Sequence, residues 1–432
     1  MYVHAGEFKV ANVDSLPYVK VLLVEPLARS TGHQSWLVGN LMRAVADSGL
    51  RPVLITFDGM HDDADLDFRA LGCAIHRVSE VMPKLLRSAI ANITGIAPRA
   101  TAAPSTVRLP IQLYIYNQFA TLSCVYYACR LAAQNQRIIL HFLCPPSLLT
   151  LVCINLSCRA ITHILITAFG SSQRFKASGF VRRLCRRRGI AIHVQTKALA
   201  EEWSSRINES SVSMIPLPSG TREGKPLQAE SRRILGLPEG KPIIAIVGCI
   251  SPEKGYIEFF RAISALPRTF RVLLIGDTPS WVKPDPTEVV REAGWLNDTI
   301  LRLQFVPEHL MPCVFGAIDA VALLYRNANA SSGVLSLCCE YRVPVLATHH
   351  GEIGAVVRRD HLGLTVDPSD VVQVRDGVNR VLAHRLDAPA PGSGISWADA
   401  AKAHVELYDR LLRTHPGHHE ESSATAGRGA RC

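Results

Sequence analysis

From residue 18 onward, short apolar runs rich in β-branched residues alternate with longer amphipathic stretches. This alternation is typical of a parallel sheet whose two faces are covered by helices. Between the first two runs, apolar residues such as Leu37, Leu41 and Ala44 fall on one face of a helix. The strands predicted in the first half of the chain are residues 19–24, 52–57, 74–78, 138–143, 164–168 and 190–195.

A second series of the same kind follows a break at residues 216–242, which are rich in Pro, Gly and charged residues and contain one short predicted helix. The chain therefore holds two doubly wound α/β units in tandem, and ligands of such units bind at the carboxyl ends of the strands. Apolar residues at helical spacing predict a terminal helix over 397–412, and the residues after it are predicted to be disordered. The strands predicted in this half are residues 243–247, 271–275, 301–306, 320–324 and 344–347.

Composition agrees with a globular protein of two or three domains. The 432 residues are 48% hydrophobic and 19% charged, which excludes wholesale disorder. Twelve cysteines occur without metal-ligand spacing, and the first residues lack the layout of a signal peptide. The long uncharged stretch 138–158 contains His141 and two prolines, so it predicts a strand, a turn and a helix rather than a membrane span. We expect reduced thiols and a cytoplasmic protein.

Positive charge is concentrated in one segment. The formal net charge is +10, and residues 174–188 contain seven basic residues and no carboxylate. Such a patch can attract anionic lipid or a phosphorylated acceptor, which predicts peripheral contact with the inner face of a membrane. A solvated helix face remains the alternative, and nucleic-acid binding is disfavoured because few aromatic residues interleave the run. The arginines that define this basic patch are Arg182, Arg183, Arg186 and Arg187.

Three turns between strands and helices have the composition of an anion site. Gly32 lies in a small-residue loop after the first strand, where helix amides can face an anion, although every such turn favours small residues. After residues 243–247, Ser251 is predicted to cap a helix, and Lys254 lies near that helix start, where the helix dipole disfavours a cation. A bound anion would remove this conflict, whereas the alternative is a solvated surface lysine.

The third turn begins the apolar helix that follows residues 320–324. Asn329, Ser331, Ser332 and Gly333 form a polar start for this helix, and its amides would suit a diphosphate. Ordinary capping of a buried helix explains the same residues equally well.

In this order and spacing, the segments IVGCISPEKGYIEFFRAI, VLLIGD, SSGVLSLCCEYRVPVLATHHGEIG and LGLTVDPSD resemble those of GT-B glycosyltransferases, specifically the large retaining family 4. The resemblance covers roughly residues 18–412 and implies two Rossmann-like domains that face a central cleft. It divides the chain into an extension (1–17), an acceptor domain (18–220), a nucleotide-sugar donor domain (221–394), a terminal helix that packs back on the acceptor domain (395–413) and a disordered tail (414–432).

The resemblance also implies roles for individual residues. Lys254 and Gly248 would face the donor diphosphate, and the segment with Val306 would border the base. Gly32, His33 and His141 would lie on the acceptor side, and Lys254 and His33 are the candidate catalytic residues. The residues implied at the sugar and the phosphates are Asn329, Ser332, Gly333, Val334 and Leu335.

Several positions depart from the family's pattern. Cys249 stands where an Arg commonly partners the Lys, and Asn329 and Leu337 stand where two Glu residues are common. The usual H-x-H pair reads His141, Phe142, Leu143. These departures weaken the expected phosphate clamp.

We therefore expect transfer of a sugar from a nucleotide diphosphate sugar to an acceptor hydroxyl of a glycan, lipid or small molecule, with retained configuration. Lys254 and helix amides would stabilise the leaving diphosphate, and no metal or further cofactor is predicted. His33 and His141 are candidates to assist the acceptor hydroxyl, although a lone His in such a fold is more often structural. The alternatives are a catalytically silent scaffold that binds a nucleotide sugar or a partner, and a sugar epimerase of the same fold.

Overall fold

The structure is a computed structural model. It describes residues 21–25, 33–57, 73–81, 88, 110–132, 138–143, 150–151, 161–168, 190–207, 211–218, 225–278, 282–383 and 395–413. The extension 1–17, the loop with Gly32, the basic patch and the tail 414–432 lie outside these residues.

The N-terminal domain is built on a seven-stranded sheet in which every pair of neighbours is parallel. The order is β3-β2-β1-β4-β5-β6-β7, so the chain reverses its direction of travel between β1 and β4. Most strand residues are buried because helices cover both faces, as the apolar runs predicted. The strands are β1 (Val21–Val24), β2 (Val53–Thr56), β3 (Ala74–Arg77), β4 (Ile138–Phe142), β5 (Ile161–Ala168), β6 (Ile190–Val194) and β7 (Val212–Met214).

Two hydrophobic cores flank this sheet. One core packs a 23-residue helix against the face that includes Leu22 and Ile55, and the other packs the first and the last helices of the chain against the opposite face. The last helix therefore belongs structurally to the N-terminal domain, where it packs against the first helix. The helices of this domain are α1 (His33–Asp47), α2 (Val78–Val81), α3 (Pro110–Ala132) and α4 (Lys197–Arg206).

The C-terminal domain repeats this architecture with six parallel strands in the order β10-β9-β8-β11-β12-β13. Its reversal of direction falls between β8 and β11, the counterpart of β1 and β4. The strands are β8 (Ile243–Val247), β9 (Arg271–Ile275), β10 (Thr299–Arg302), β11 (Ala320–Leu323), β12 (Val345–Thr348) and β13 (Gly363–Val366). Its described helices are α5 (Gln228–Ile234), α6 (Tyr256–Ile263), α7 (Pro286–Glu292), α8 (Met311–Ala317), α9 (Gly333–Tyr341), α10 (Gly351–Arg359) and α11 (Val371–Ala383). The last helix of the chain, which packs on the N-terminal domain, is α12 (Trp397–Arg413).

The structure confirms the predicted pair of doubly wound units, and β8 and β9 have the predicted bounds. Two edge strands, β7 and β13, were not predicted because they are short and only half-buried. The predicted bounds of the strand at residues 301–306 were wrong. The strand β10 begins at Thr299 and ends at Arg302, and the apolar residues that follow lie beyond the sheet. Across the described ranges, no helix is both long and apolar enough to cross a membrane.

Candidate functional site

The candidate site lies at the carboxyl ends of β8 and β11. These two strands are neighbours in the sheet, and the chain leaves them in opposite directions along it. A crevice opens at such a reversal because the loops that follow the two strands diverge, and ligands of doubly wound folds bind there. Lys254 follows β8 and Tyr325 follows β11, so the fold places both residues at this point.

The turn after β8 differs from the prediction. A single 3-10 turn spans Pro252–Lys254, and Ser251 makes no side-chain cap bond. The helix α6 begins only at Tyr256, after Gly255 with a φ of 73°. A Cβ on Gly255 would lie 2.0 Å from the carbonyl oxygen of Leu324, so only glycine permits this approach. The close packing holds the loop that carries Lys254 against the end of β11.

The Lys254 ammonium is held by a tyrosine. Its Nζ donates to the Tyr325 hydroxyl at 2.5 Å and lies 4.1 Å from the centre of that ring. It also borders Gly248, whose Cβ, if present, would lie 3.7 Å from Nζ. Among the residues that the structure describes, no carboxylate lies within ion-pair distance of Lys254. The positive charge is therefore available to an anion in the crevice.

The N-terminus of α9 faces the same point. Ser332 is the N-cap, and its Oγ accepts from the Leu335 amide at 3.2 Å and donates to the Tyr325 hydroxyl at 3.4 Å. The amides of Gly333 and Val334 have no acceptor within the helix because they belong to its first turn. Val334 also contacts Gly248, with 3.6 Å between its Cγ2 and the position of a Cβ there. Tyr325 thus joins Lys254 to the start of α9.

Leu335 does not fit its predicted role as a phosphate-binding amide. Its N–H is already bonded to the Ser332 cap, and its side chain is buried in the hydrophobic core. The side chains of Val306 and Leu337 are buried in the same core. Only the backbone around Val306 is left to border a base. Leu337 supplies apolar packing where the family commonly has a carboxylate.

Cys249 and Asn329 occupy the edges of this site. Desolvation and the charge of Asp277 raise the pKa of the Cys249 thiol, and Lys254 opposes this effect. A cysteine is neutral or anionic, so this position cannot supply the positive charge that an arginine would. Asn329 is exposed, and its carbonyl oxygen accepts from the Thr196 hydroxyl of the N-terminal domain at 3.2 Å. In the described part of the chain, no group of three or more His, Cys, Asp or Glu residues is placed to hold a metal ion.

His141 does not face the cleft, which contradicts its predicted acceptor-side position. It is fully buried beneath α12, where its ring nitrogens lie 2.9 Å from the Tyr408 hydroxyl and 2.8 Å from Oγ1 of Thr167. Burial lowers the pKa of His141 well below its usual value, and the neighbouring His404 and His193 lower it further. The prediction failed because a helix more than 250 residues later in the chain covers the end of β4. His33 begins α1, and its side chain, like Gly32 and the basic patch, lies outside the described residues.

Sequence reasoning missed the other members of this histidine cluster. His193 lies 3.0 Å from Thr167 Oγ1 through Nδ1 and 3.2 Å from the Ile215 carbonyl oxygen through Nε2. Burial lowers the pKa of His193 to about 3 and that of His404 to about 4. No spacing in the sequence announces this cluster, because its members come from β4, β6 and α12.

Comparisons with known proteins agree with this geometry. Residues 228–390 match the family model of glycosyl transferases group 1. The chain is 31% identical over 202 residues to a D-inositol 3-phosphate glycosyltransferase of Nocardia farcinica, a match that spans 43% of this chain and 44% of that protein, less than half of either. It is 27% identical over 377 residues to a 2-deoxystreptamine glucosyltransferase of Streptomyces kanamyceticus, covering 81% of this chain and 89% of that one.

Solved structures show the same fold. Sucrose-phosphate synthase from Thermosynechococcus elongatus superposes with a TM-score of 0.65 at 16% identity, over 91% of this chain and 99% of that one. Anabaena HepE in complex with UDP and glucose gives a TM-score of 0.66 at 12% identity, over 91% and 100% of the two chains. The chain therefore has the GT-B fold, and residues 228–390 of its C-terminal domain match the family of glycosyl transferases group 1.

Proposed function

We propose that this protein transfers a glycosyl group from a nucleoside diphosphate sugar to an acceptor hydroxyl, with retention of the anomeric configuration. One observation carries the proposal: the Lys254 ammonium lies at the reversal point of the C-terminal sheet without a carboxylate partner among the described residues, and beside the first amides of α9. A cation and free helix amides at one point form a site for a diphosphate. The two relatives named above are themselves called a glycosyltransferase and a glucosyltransferase.

In this proposal the donor diphosphate binds between Lys254 and the start of α9. Negative charge grows on the leaving diphosphate as the glycosidic bond breaks, so a cation already in place stabilises the transition state more than the ground state. A hydrogen bond to a charged group is worth about 1.5 to 3 kcal/mol. Tyr325 fixes the direction of the Lys254 side chain and so reduces the reorganisation needed when the donor binds.

The Gly333 and Val334 amides would act on the same phosphates. They belong to the first turn of α9, where the helix dipole adds positive potential. Ser332 keeps these amides oriented because its side chain closes the cap on Leu335. Retention follows from the resemblance to family 4 and is part of the proposal.

The second candidate function is a nucleotide-sugar-binding scaffold without turnover. Cys249 and Leu337 favour it, because an uncharged thiol and a buried apolar side chain stand where the family commonly has an arginine and a carboxylate. Loss of the arginine would forfeit about 1.5 to 3 kcal/mol of donor binding. An epimerase would use the same crevice.

The deciding experiment is a donor screen. Saturation-transfer NMR is run with UDP and GDP sugars, and slow hydrolysis of each bound donor is then measured with and without glycan, lipid and small-molecule acceptors. UDP and UDP-glucose are sensible first probes because Anabaena HepE was solved with both. Binding together with acceptor-stimulated turnover supports the proposal, and product analysis gives the stereochemistry.

Other outcomes favour the alternatives. Binding without hydrolysis and without turnover favours the scaffold, and an isomerised donor sugar in the absence of acceptor reveals the epimerase. Failure of every nucleotide sugar to bind would contradict all three. The Lys254→Ala variant serves as the control for binding at the proposed site.

The acceptor side of the proposal rests on the sequence. The basic patch would bring the protein to an anionic membrane surface or to a phosphorylated lipid acceptor. Association of the protein with anionic liposomes tests this membrane proposal separately from the donor site.

A further inference from the structure

The two domains touch where β6 ends. Gln195 and Thr196 directly follow this strand, and both side chains bond to the loop that leads into α9. Gln195 Oε1 accepts a hydrogen bond from the Ser331 hydroxyl, and the Thr196 hydroxyl donates to the Asn329 carbonyl oxygen at 3.2 Å. The helices α4 and α10 also contact each other beside this point. Two residues of one short loop, Asn329 and Ser331, thus bond to the N-terminal domain.

Gln195 is built into this position. Gln195 is only 5% exposed, although glutamine side chains usually lie at the surface. A buried amide is expensive unless it is hydrogen-bonded, so loss of the Ser331 partner leaves a polar group unsatisfied. Ser331 immediately precedes Ser332, the N-cap of α9. The bond therefore acts on the residue next to the proposed phosphate-binding amides.

The same region contains described residues that flank both connections between the domains in the sequence. A cavity of about 20 Å³ lies here, lined by Gln195 and His193 together with Pro216 and Pro218 beside the first connection and Trp397 and His404 near the second. The indole of Trp397 packs against hydrophobic cores of both domains. Within the described residues, Nε2 of His404 is buried without a hydrogen-bond partner. The contact region between the domains therefore contains a small void and an unsatisfied nitrogen, so it is packed less completely than the cores of the domains.

We propose that Gln195 and Ser331 form a latch that couples the relative position of the two domains to the α9 end of the donor site. Gln195 is a positioning residue: it touches no substrate, and it acts through Ser331 on the start of α9. The expected effect of the latch on turnover rests on the proposed function, whereas the latch itself does not. The latch itself is a bond between domains and affects the shape of the protein without any ligand.

The coupling has a simple physical basis. The Gln195–Ser331 bond forms only when the domains are in the present arrangement, so it favours that arrangement by the net value of one hydrogen bond, about 0.5 to 1.5 kcal/mol. This corresponds to a population ratio of about 2- to 13-fold between latched and unlatched states. Any ligand that binds better to the latched state would gain affinity from the bond and would strengthen it in return.

The test is a double-mutant cycle with Ser331→Ala, Gln195→Leu and the double variant. We expect each single variant to lower turnover of the donor identified by the screen, by at most about 13-fold, which is the largest change in the latched-to-unlatched ratio that one hydrogen bond supplies. Turnover by the double variant should be no lower than turnover by the less active single variant, because both changes remove the same bond. Small-angle X-ray scattering without ligand should show an increased radius of gyration for all three variants.

Matched controls separate the latch from a general loss of stability. Ser205→Ala removes a hydroxyl from α4 whose hydrogen-bond partner, among the residues that the structure describes, is the Glu202 carbonyl oxygen in the same helix. It should leave turnover and scattering unchanged. Ser331→Thr keeps the donating hydroxyl, so it should have the turnover and the radius of gyration of the wild-type protein. If Ser331 had only a local structural role, the radius of gyration would be unchanged in every variant.

The outcomes are distinguishable. Additive effects of the two single substitutions, or an unchanged radius of gyration in all variants, overturn the latch. If Gln195→Leu fails to fold, Ser331→Ala and Ser331→Thr still decide, since Ser331 is only partly buried. If no nucleotide sugar binds the wild-type protein, the proposed function fails, and the scattering still tests the latch.

Discussion

The Lys254 ammonium lies 2.5 Å from the Tyr325 hydroxyl, which in turn lies 3.4 Å from the Ser332 hydroxyl. The three residues come from the loop after β8, the end of β11 and the N-cap of α9. One phenol therefore orders the cation and the helix start on which the proposed donor site depends. Because the partner is a hydroxyl and not a carboxylate, it orients the Lys254 side chain through a hydrogen bond and without an ion pair.

Lys254→Ala should weaken binding of the donor at least about tenfold, because it removes a charge-assisted hydrogen bond to the diphosphate. The melting temperature should change little, since Lys254 forms no ion pair with any residue described here. Isothermal titration calorimetry and thermal unfolding check the two parts. An unaltered affinity would refute the assignment of Lys254 to the donor.

Tyr325→Phe keeps the ring and removes the hydroxyl. We expect kcat to fall about 2- to 10-fold, because the Lys254 side chain loses the bond that directs it toward the crevice. Tyr256→Phe is the matched control, since the Tyr256 hydroxyl donates instead to the Pro284 carbonyl oxygen. The idea fails if both variants show the same kcat as the wild-type enzyme.

Stability should decrease in acid because of the buried histidines. Burial lowers the pKa of His404 to about 4, while the unfolded chain keeps a His pKa near 6.5. Between these values the unfolded state binds more protons than the folded state, so the free energy of unfolding falls as pH drops from about 6.5 to about 4. Urea unfolding at pH 7.5, 6 and 5 measures this slope.

His404→Leu tests the origin of the slope. The variant removes one group that titrates on unfolding, so its stability should depend less on pH over the same window. A substitution of a buried residue that does not titrate supplies the control: Leu407→Ala, in the same helix, should lower stability but leave the slope as it is in the wild-type protein. Equal slopes for the wild-type protein and His404→Leu would contradict the prediction.

Reversal of the basic patch should reduce association with anionic liposomes at low salt, and added salt should weaken the association of the wild-type protein. Co-sedimentation with phosphatidylserine-containing vesicles is the measurement. The membrane proposal is wrong if the wild-type protein ignores such vesicles at low salt. The reversed residues are Arg182, Arg183, Arg186 and Arg187, and a control for net charge reverses four exposed arginines of the C-terminal domain, Arg233, Arg261, Arg291 and Arg302.

Some details of the site could not be read from the sequence. Ser251 has the composition of a helix cap, yet Gly255 adopts a left-handed conformation and delays α6 to Tyr256. The deciding contact is with the carbonyl of Leu324, which directly follows β11 and lies 69 residues later in the chain than Gly255. Leu335 was predicted to offer an amide, but the Ser332 cap already occupies it.

The sequence by itself determined the two parallel α/β units, because strand and helix periodicity and turn composition depend on residues close together in the chain. It also placed Lys254 in the turn that follows β8 for the same reason. Tertiary structure alone decided which side chains meet: Gln195 and Ser331 are 136 residues apart, and His141 and Tyr408 are 267 apart. Such contacts depend on how whole elements pack, and no local pattern of polar and apolar residues encodes them. Packing therefore made His141 a buried structural residue and joined the two domains at the start of α9.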